Sequence, residues 1–162
     1  MRVFTIGVYG FTERTFFDAL QSAGVDLVCD VRWRRGVRGA RYAFANSRRL
    51  QSHLDSLGIA YLHRRDLAPS PEIRRLQQQA DKAAKTAKRS RARLAPAFVD
   101  AYRREILVRF DPRLFLAGLP PGIQSIALLC VEKYPAACHR SLITEQLLQT
   151  ESIETIRHIL PP

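Results

Sequence analysis

Two short motifs in this chain, C-x-E and C-H-R, combine residue types that can do covalent chemistry. Cys130 and Glu132 are two positions apart, so on an extended strand their side chains point to the same face. Cys138, His139 and Arg140 fall just before or at the first turn of a predicted helix. A thiol at a helix N-terminus beside an arginine has a lowered pKa and becomes a nucleophilic thiolate. We therefore predict Cys138 as the catalytic nucleophile. Glu132 is the predicted general base or the group that orients Arg140, and His139 is a second base candidate.

Other polar and glycine residues follow the predicted strands, where ligands bind in an open parallel sheet. Arg32 and Arg140 are predicted to hold an anion there by charge-assisted hydrogen bonds. The remaining residues predicted to line this ligand site are Gly7, Tyr9, Asp30 and Cys130. A structural role is the alternative for the two arginines, which would then form buried ion pairs with Asp30 and Glu132.

Metal and cofactor motifs find little support in the sequence. Cys130, Glu132, Cys138 and His139 are acceptable ligand types, but their spacing is not the C-x-x-C or H-x-x-x-H arrangement of recurrent zinc sites. The chain also has no G-x-G-x-x-G motif, no Walker loop and no nucleophile elbow. We therefore predict neither a metal nor a cofactor.

The first 63 residues alternate between strand and helix patterns, and these predicted elements would position the groups named above. Strands are predicted at 3–6, 25–31 and 59–62, separated by helices that Thr12 and Ser47 cap. Two crossover units of this kind are right-handed and their strands are parallel. We predict a three-layer α/β fold, Rossmann-like or flavodoxin-like, with a mainly parallel sheet covered by helices on both faces.

The second half of the chain is predicted to complete a single domain over residues 1–162. Pro96 starts a helix with a buried stripe, and strands are predicted at 126–130 and 153–159. The apolar residues that define the two helices of this half are Phe98, Tyr102, Ile106 and Phe110, then Leu142, Ile143, Leu147 and Leu148. Residues 68–94 are predicted to be a basic insertion, either a solvated helix or a mobile arm that a partner orders.

The net charge of +11 is local rather than general. Residues 32–49 carry seven arginines and residues 82–93 carry six basic side chains, and neither segment contains an acid. Those thirteen are half of the 26 basic residues, so the rest of the chain has 13 basic against 15 acidic side chains. Two basic segments on a nearly neutral body are typical of a surface that faces phosphate groups or nucleic acid.

Three functional interpretations stay open at this point. The first is a small cysteine-dependent transferase or hydrolase that acts on a phosphate-bearing ligand. The second is a non-catalytic nucleic-acid-binding protein, with Trp33 or Tyr42 stacking on bases. The third is a thiol redox or metal-binding protein that uses Cys130 and Cys138. The residues predicted to contact nucleic acid in the second case are Arg34, Arg35, Arg38, Arg41, Lys85, Lys88 and Arg89.

The cellular setting is predicted from absences in the sequence. No apolar run approaches the roughly 20 residues that span a bilayer, and the N-terminus lacks a signal-peptide pattern. An odd number of cysteines argues against a disulfide framework. We therefore expect a cytoplasmic protein with reduced thiols and no membrane partner, while its oligomeric state stays undetermined.

The order of these motifs resembles a known family. The motifs are Thr5-Ile6-Gly7, Asp30-Val31-Arg32, Phe44 with Asn46 and Leu50, Gly58-Ile59-Ala60-Tyr61, Cys130-Val131-Glu132 and Cys138-His139-Arg140. They are similar, in sequence order, to those of the bacterial and archaeal domain of unknown function family four-eight-eight. The resemblance implies a compact α/β domain with a shared polar site suspected to be enzymatic. This chain differs in having Val8 and Tyr9 where the family typically has histidine and serine, and Ala68-Pro69 where a glycine pair is usual.

Overall fold

A parallel sheet forms the centre of the protein. The computed structural model describes residues 1–87 and 90–162. Over these residues the strands are β1 (Arg2–Gly7), β2 (Leu27–Asp30), β3 (Ala60–His63), β4 (Ser125–Cys130) and β5 (Thr155–Ile159). They lie in the order β3-β2-β4-β1-β5, and every neighbouring pair is parallel. The predicted three-layer α/β fold with a parallel sheet is confirmed.

Helices cover both faces of this sheet. They are α1 (Glu13–Ser22), α2 (Ser47–Ser56), α3 (Pro71–Ala83), α4 (Pro96–Glu105), α5 (Pro112–Ala117) and α6 (Arg140–Leu147). Helices α1 and α2 pack on one face through Phe16, Leu20, Leu50 and Leu54. Helices α3 to α6 pack on the other face, where Tyr102 is fully buried among strand residues. No helix among the described residues has the length and apolar character that a membrane span requires.

The helix caps show where local sequence signals held and where they failed. The hydroxyl of Thr12 accepts from the Thr15 amide at 3.2 Å, so the predicted cap of α1 is confirmed. The predicted cap of α2 at Ser47 is wrong, because Ser47 is already helical and Asn46 occupies the cap position. The Asn46 side chain closes the preceding loop instead, since it accepts from the Val37 amide at 2.7 Å.

The basic insertion packs on the domain through α3. Ile73 and Gln77 of this helix are buried, and the Gln77 side chain accepts from the Ala95 amide at 2.8 Å. Few large apolar residues follow Leu76 within this insertion, so the sequence did not indicate that this helix packs on the domain. The structure makes the contact with a buried polar side chain, that of Gln77. Leu148, predicted to belong to the last helix, follows the end of α6 and is 60% exposed.

The strand order creates a crevice between β2 and β4. The chain winds from β1 through β2 to β3 toward one edge, and from β4 to β5 toward the other. The two neighbours β2 and β4 are followed by α2 and α6, which lie on opposite faces of the sheet. Loops that leave in opposite directions open a crevice at such a point, and ligands bind there in open α/β sheets.

Candidate functional site

A cavity of about 640 Å³ opens at the carboxyl ends of β2 and β4. Its wall comes from the loops that follow these two strands, from Tyr9 after β1, and from one face of α3. Its volume lies in the range of roughly 300–1,000 Å³ that small-molecule sites occupy. The fold therefore provides a ligand-sized space where the sequence predicted the polar site.

Two thiols and an imidazole form part of the cavity wall. Cys130 ends β4, Cys138 lies one residue before the cap of α6, and His139 is that cap. The Nδ1 atom of His139 lies 3.9 Å from Sγ of Cys130 and 3.8 Å from Sγ of Cys138. All three side chains are buried, yet all three line the cavity. We call Cys130, Cys138 and His139 the sulfur–imidazole cluster.

A backbone contact fixes the orientation of the His139 ring. Its Nε2 lies 3.0 Å from the carbonyl oxygen of Val31, which can only accept a hydrogen bond. Nε2 therefore carries the proton, and in the neutral ring Nδ1 keeps its lone pair. Val31 follows β2, whereas His139 follows β4. The loop after β2 therefore orients the imidazole that follows β4. The lone pair of Nδ1 faces the two sulfurs.

The pKa values of the two thiols shift in opposite directions. The hydrogen bond with Cys138, reinforced by burial, raises the pKa of Cys130 well above its ordinary value. Burial by itself raises the pKa of Cys138, but the hydrogen bond from Cys130 and the charge of Arg140 hold that pKa well below its ordinary value. Cys138 is therefore the thiol of the pair that ionises more readily. The third cysteine, Cys29, lies in the core, where burial raises its pKa to about 12.

Arg140 holds the loop after β4 rather than facing the cavity. Its two terminal nitrogens donate to the carbonyl oxygens of Glu132 at 2.6 Å and Lys133 at 3.0 Å. The structural alternative paired Arg140 with the Glu132 carboxylate, but the main chain of Glu132 is the acceptor instead. Gly7 makes this approach feasible, since a Cβ at position 7 would overlap that same carbonyl oxygen.

Asp30 and Arg32 form the buried ion pair that was the structural alternative for this arginine. Arg32 donates through Nε at 2.8 Å and through a terminal nitrogen at 2.7 Å to the two carboxylate oxygens of Asp30. The Tyr61 hydroxyl also donates to Asp30 at 2.7 Å, and burial followed by this carboxylate raises the pKa of Tyr61 to about 12. Asp30 lies behind the cavity wall, whereas Arg32 forms part of it.

Glu132 lines the cavity but is engaged by Arg91. One terminal nitrogen of Arg91 donates to the Glu132 carboxylate at 3.1 Å, and the other donates to Asp81 at 2.8 Å. Arg91 thereby joins the end of α3 to the loop after β4. The carboxylate that the sequence offered as a general base is thus oriented by an arginine from the basic insertion.

Three further arginines of the cavity wall carry the excess positive charge. Arg34, Arg38 and Arg74 all line the cavity. Burial and then the charge of Arg34 lower the pKa of Arg74, so these two guanidinium groups repel each other. The Nε atom of Arg74 is buried without a hydrogen-bond partner. This part of the wall therefore carries a concentration of positive charge.

The remaining predicted nucleic-acid contacts are dispersed. Arg41 lies over the Tyr42 ring, 5.4 Å from its centroid, and Lys85 is exposed after the end of α3. Arg35 hydrogen-bonds to the Tyr61 hydroxyl rather than lining the cavity. Lys88 and Arg89 lie outside the described residues.

Sequence reasoning missed the contribution of α3 to the site. Arg74, Gln77, Gln78 and Asp81 line the cavity and recur at three- and four-residue intervals, so they share one face of the helix. That polar periodicity was available in the sequence. It did not indicate a binding site, because a polar stripe on a helix is equally typical of a face exposed to water.

The arrangement supports two kinds of chemistry. A Cys138 thiolate can attack an electrophilic atom of a ligand that the arginines hold. Alternatively, the two sulfurs and Nδ1 of His139 are the atoms that could bind a metal ion, since they all lie within 4.8 Å of one another. Both possibilities use Cys138, which lines the cavity, and they exclude each other at any one time.

Comparison with known proteins gives one match. A family model described as "Domain of unknown function DUF488" matches residues 12–147, which include the loops after β2 and β4. The resemblance inferred from the sequence motifs is thereby confirmed. No curated protein and no solved structure matches the chain.

Proposed function

This chain belongs to the family described as Domain of unknown function DUF488, and we propose that its cavity binds a phosphate-bearing small molecule. The proposal rests on one observation: an arginine-rich wall surrounds a ligand-sized space whose surface includes the sulfur–imidazole cluster. Chemistry on the bound ligand is assigned to that cluster, with Cys138 as its thiolate. The protein is accordingly proposed to be a small cysteine-dependent enzyme.

The charges of the cavity wall support an anionic ligand. Five arginines and two acids line the cavity. Arg32 is neutralised by Asp30, and Arg91 is neutralised by Asp81 and Glu132. Five arginines against the three acids Asp30, Asp81 and Glu132 leave a net charge of +2, and Arg34, Arg38 and Arg74 are the arginines outside these ion pairs. Guanidinium groups present several N–H donors in a planar fork that matches the oxygens of a phosphate.

The shape of the site favours a small molecule over nucleic acid. Arg34 and Arg38, which the sequence offered as nucleic-acid contacts, both line a concave space of about 640 Å³. The Trp33 ring also lines this space, but the Arg65 guanidinium lies over it at 4.3 Å from its centroid. That cation occupies a ring face on which a base would stack.

Direct binding measurements test the proposal. Isothermal titration calorimetry would compare inorganic phosphate, pyrophosphate and adenosine monophosphate with the wild-type protein and the double variant Arg34→Gln/Arg74→Gln. Because hydrogen bonds to charged groups contribute about 1.5–3 kcal/mol each, we expect the double variant to bind at least tenfold more weakly. The matched control is Arg14→Gln/Arg104→Gln, which removes the same charge from two exposed arginines outside the cavity.

Three results would contradict the proposal. Equal weakening in both double variants would indicate general attraction to a basic protein. Absence of binding for every probe would remove the phosphate site. Tight binding of a single-stranded oligonucleotide that survives Arg34→Gln/Arg74→Gln would favour the nucleic-acid interpretation. The catalytic assignment is tested separately by following the same probes by phosphorus NMR, where turnover by Cys138→Ala at the wild-type rate would exclude Cys138 from the chemistry.

A further inference from the structure

The sulfur–imidazole cluster has the composition and the geometry of a metal site. Its two sulfur atoms and Nδ1 of His139 come from the end of β4 and the start of α6, and they all lie within 4.8 Å of one another. We propose that Cys130, Cys138 and His139 bind one zinc-type divalent metal ion at the cavity wall. The inference is independent of phosphate binding, since it uses none of the three arginines that carry the excess charge. It replaces the nucleophilic role proposed for Cys138, because a thiolate bound to the ion is not free to attack a ligand.

The observed distances are close to those that a tetrahedral ion requires. With Zn–S near 2.3 Å and Zn–N near 2.0–2.1 Å, a tetrahedral angle places each sulfur about 3.6 Å from the nitrogen. The observed separations are 3.9 Å for Cys130 and 3.8 Å for Cys138. Each sulfur–nitrogen separation therefore has to shorten by about 0.2–0.3 Å when the ion binds.

The His139 ring is already oriented for ligation. Metal-binding histidines almost always donate their other ring N–H to a carbonyl or a carboxylate, and this contact fixes the ligating nitrogen. Here Nε2 of His139 donates to the Val31 carbonyl at 3.0 Å, so Nδ1 is the nitrogen that faces the sulfurs. This contact distinguishes a prepared ligand from a histidine that merely packs near two cysteines.

Ligand type and charge select the class of ion. Thiolates and imidazole favour zinc and similar borderline metals over magnesium or calcium, which prefer oxygen ligands. Two thiolates balance the charge of a divalent ion, so the loaded cluster would be neutral. A neutral cluster suits this buried position, because an uncompensated charge is costly to bury.

The cavity leaves one coordination position accessible. Three protein ligands with a fourth position for water or substrate are typical of catalytic zinc sites, and two cysteines with one histidine occur among them. All three proposed ligands form part of the cavity wall, so an ion that they hold would lie at the edge of the ligand space. An ion bound there could polarise an oxygen atom of a bound ligand.

Cobalt spectroscopy of the full chain tests this site. The purified protein would be stripped with a chelator and titrated with Co²⁺, which absorbs in the near ultraviolet when thiolates ligate it and in the visible when it is tetrahedral. We expect both bands to saturate at one ion per chain and to disappear when Zn²⁺ is added. Cys130→Ala and Cys138→Ala should each weaken binding at least tenfold and halve the thiolate band, as one of two sulfur ligands is lost.

Cys29→Ala is the matched control, because it removes a third buried cysteine that lies in the core away from the cavity wall. This variant should bind Co²⁺ as the wild type does. Native mass spectrometry of the wild type with equimolar Zn²⁺ needs no variant, and it should show one bound ion. A wild type without absorbance bands or adduct overturns the proposal, as does binding that Cys138→Ala leaves intact. Phosphate binding by the stripped protein is scored separately, so loss of one property leaves the other standing.

Discussion

The close approach of Gly7 to the loop after β4 makes Gly7→Ala the most informative single substitution in this protein. A Cβ at position 7 would overlap the Glu132 carbonyl oxygen, and it would lie 2.7 Å from the carbonyl carbon and 3.1 Å from a terminal nitrogen of Arg140. Carbon atoms in ordinary contact are about 3.5–4.0 Å apart, so the loop must move by about 1 Å. That shift breaks the 2.6 Å hydrogen bond between Arg140 and Glu132.

The expected loss of stability follows from these contacts. Overpacking costs about 1–3 kcal/mol, and a hydrogen bond from a charged donor contributes about 1.5–3 kcal/mol. Alanine also lowers the conformational entropy of the unfolded chain, and this stabilises the folded protein by about 0.4–1 kcal/mol, which offsets part of the loss. We expect Gly7→Ala to lower the free energy of unfolding by about 2–5 kcal/mol. For a domain of this size the melting temperature then falls by about 4–20 °C.

Guanidinium chloride denaturation, followed by circular dichroism, measures this loss. Gly36→Ala is the control, because the nearest atom to its added Cβ is Oδ1 of Asn46 at 3.9 Å, an ordinary contact. We expect this control to stay within about 0.5 kcal/mol of the wild type. A Gly7→Ala protein equally close to the wild type would refute the argument, since Arg140 would then not need the glycine to reach the Glu132 carbonyl.

Two further predictions concern carboxylates outside the cavity wall. Asp30→Asn should lower the free energy of unfolding by about 3–5 kcal/mol, because it leaves the buried Arg32 guanidinium without its counter-charge; chemical denaturation checks this, and a loss below about 1 kcal/mol contradicts it. We also predict that Asp26 makes the free energy of unfolding depend on pH in the acid range. Burial by itself raises its pKa, but the backbone amides of Gln124 and Ser125 and the Ser125 hydroxyl donate to its carboxylate and bring that pKa below its ordinary value. Its contribution is therefore present above the unfolded pKa and lost as the pH falls through the lower folded pKa. Unfolding measured at pH 7, 4 and 3 should show a smaller acid-dependent loss in Asp26→Asn than in the wild type, and identical profiles would contradict this assignment.

The fold was accessible from the sequence because its signals are local. Apolar runs at 3–6 and 126–130 predicted β1 and β4 to within a residue or two, as chains buried on both faces must be apolar throughout. The Thr12 cap and the stripe that starts at Phe98 indicated α1 and α4 in the same way, although α4 ends at Glu105, before Ile106 and Phe110 of that stripe. These features depend on neighbours a few residues away.

The order of the strands was beyond that reasoning. Parallel pairing follows from the crossover connections, but β4 lies between β2 and β1, and no local pattern determines which strands become neighbours. The position of β4 between β2 and β1 places the loop that contains Val31 beside His139. The imidazole acquires its orientation from a residue 108 positions away.

The sequence by itself determined which residue types were available for chemistry: the C-x-E and C-H-R motifs, the local excess of arginine and an apolar parallel sheet. Only the tertiary structure decided their roles, directing Arg140 to the main chain and Arg32 to Asp30, and bringing Arg74 and Arg91 to the cavity. The physical reason is that a charged side chain is partnered by whatever acceptor is nearest once it is buried. Such distances are set by packing between distant segments, which sequence spacing does not encode.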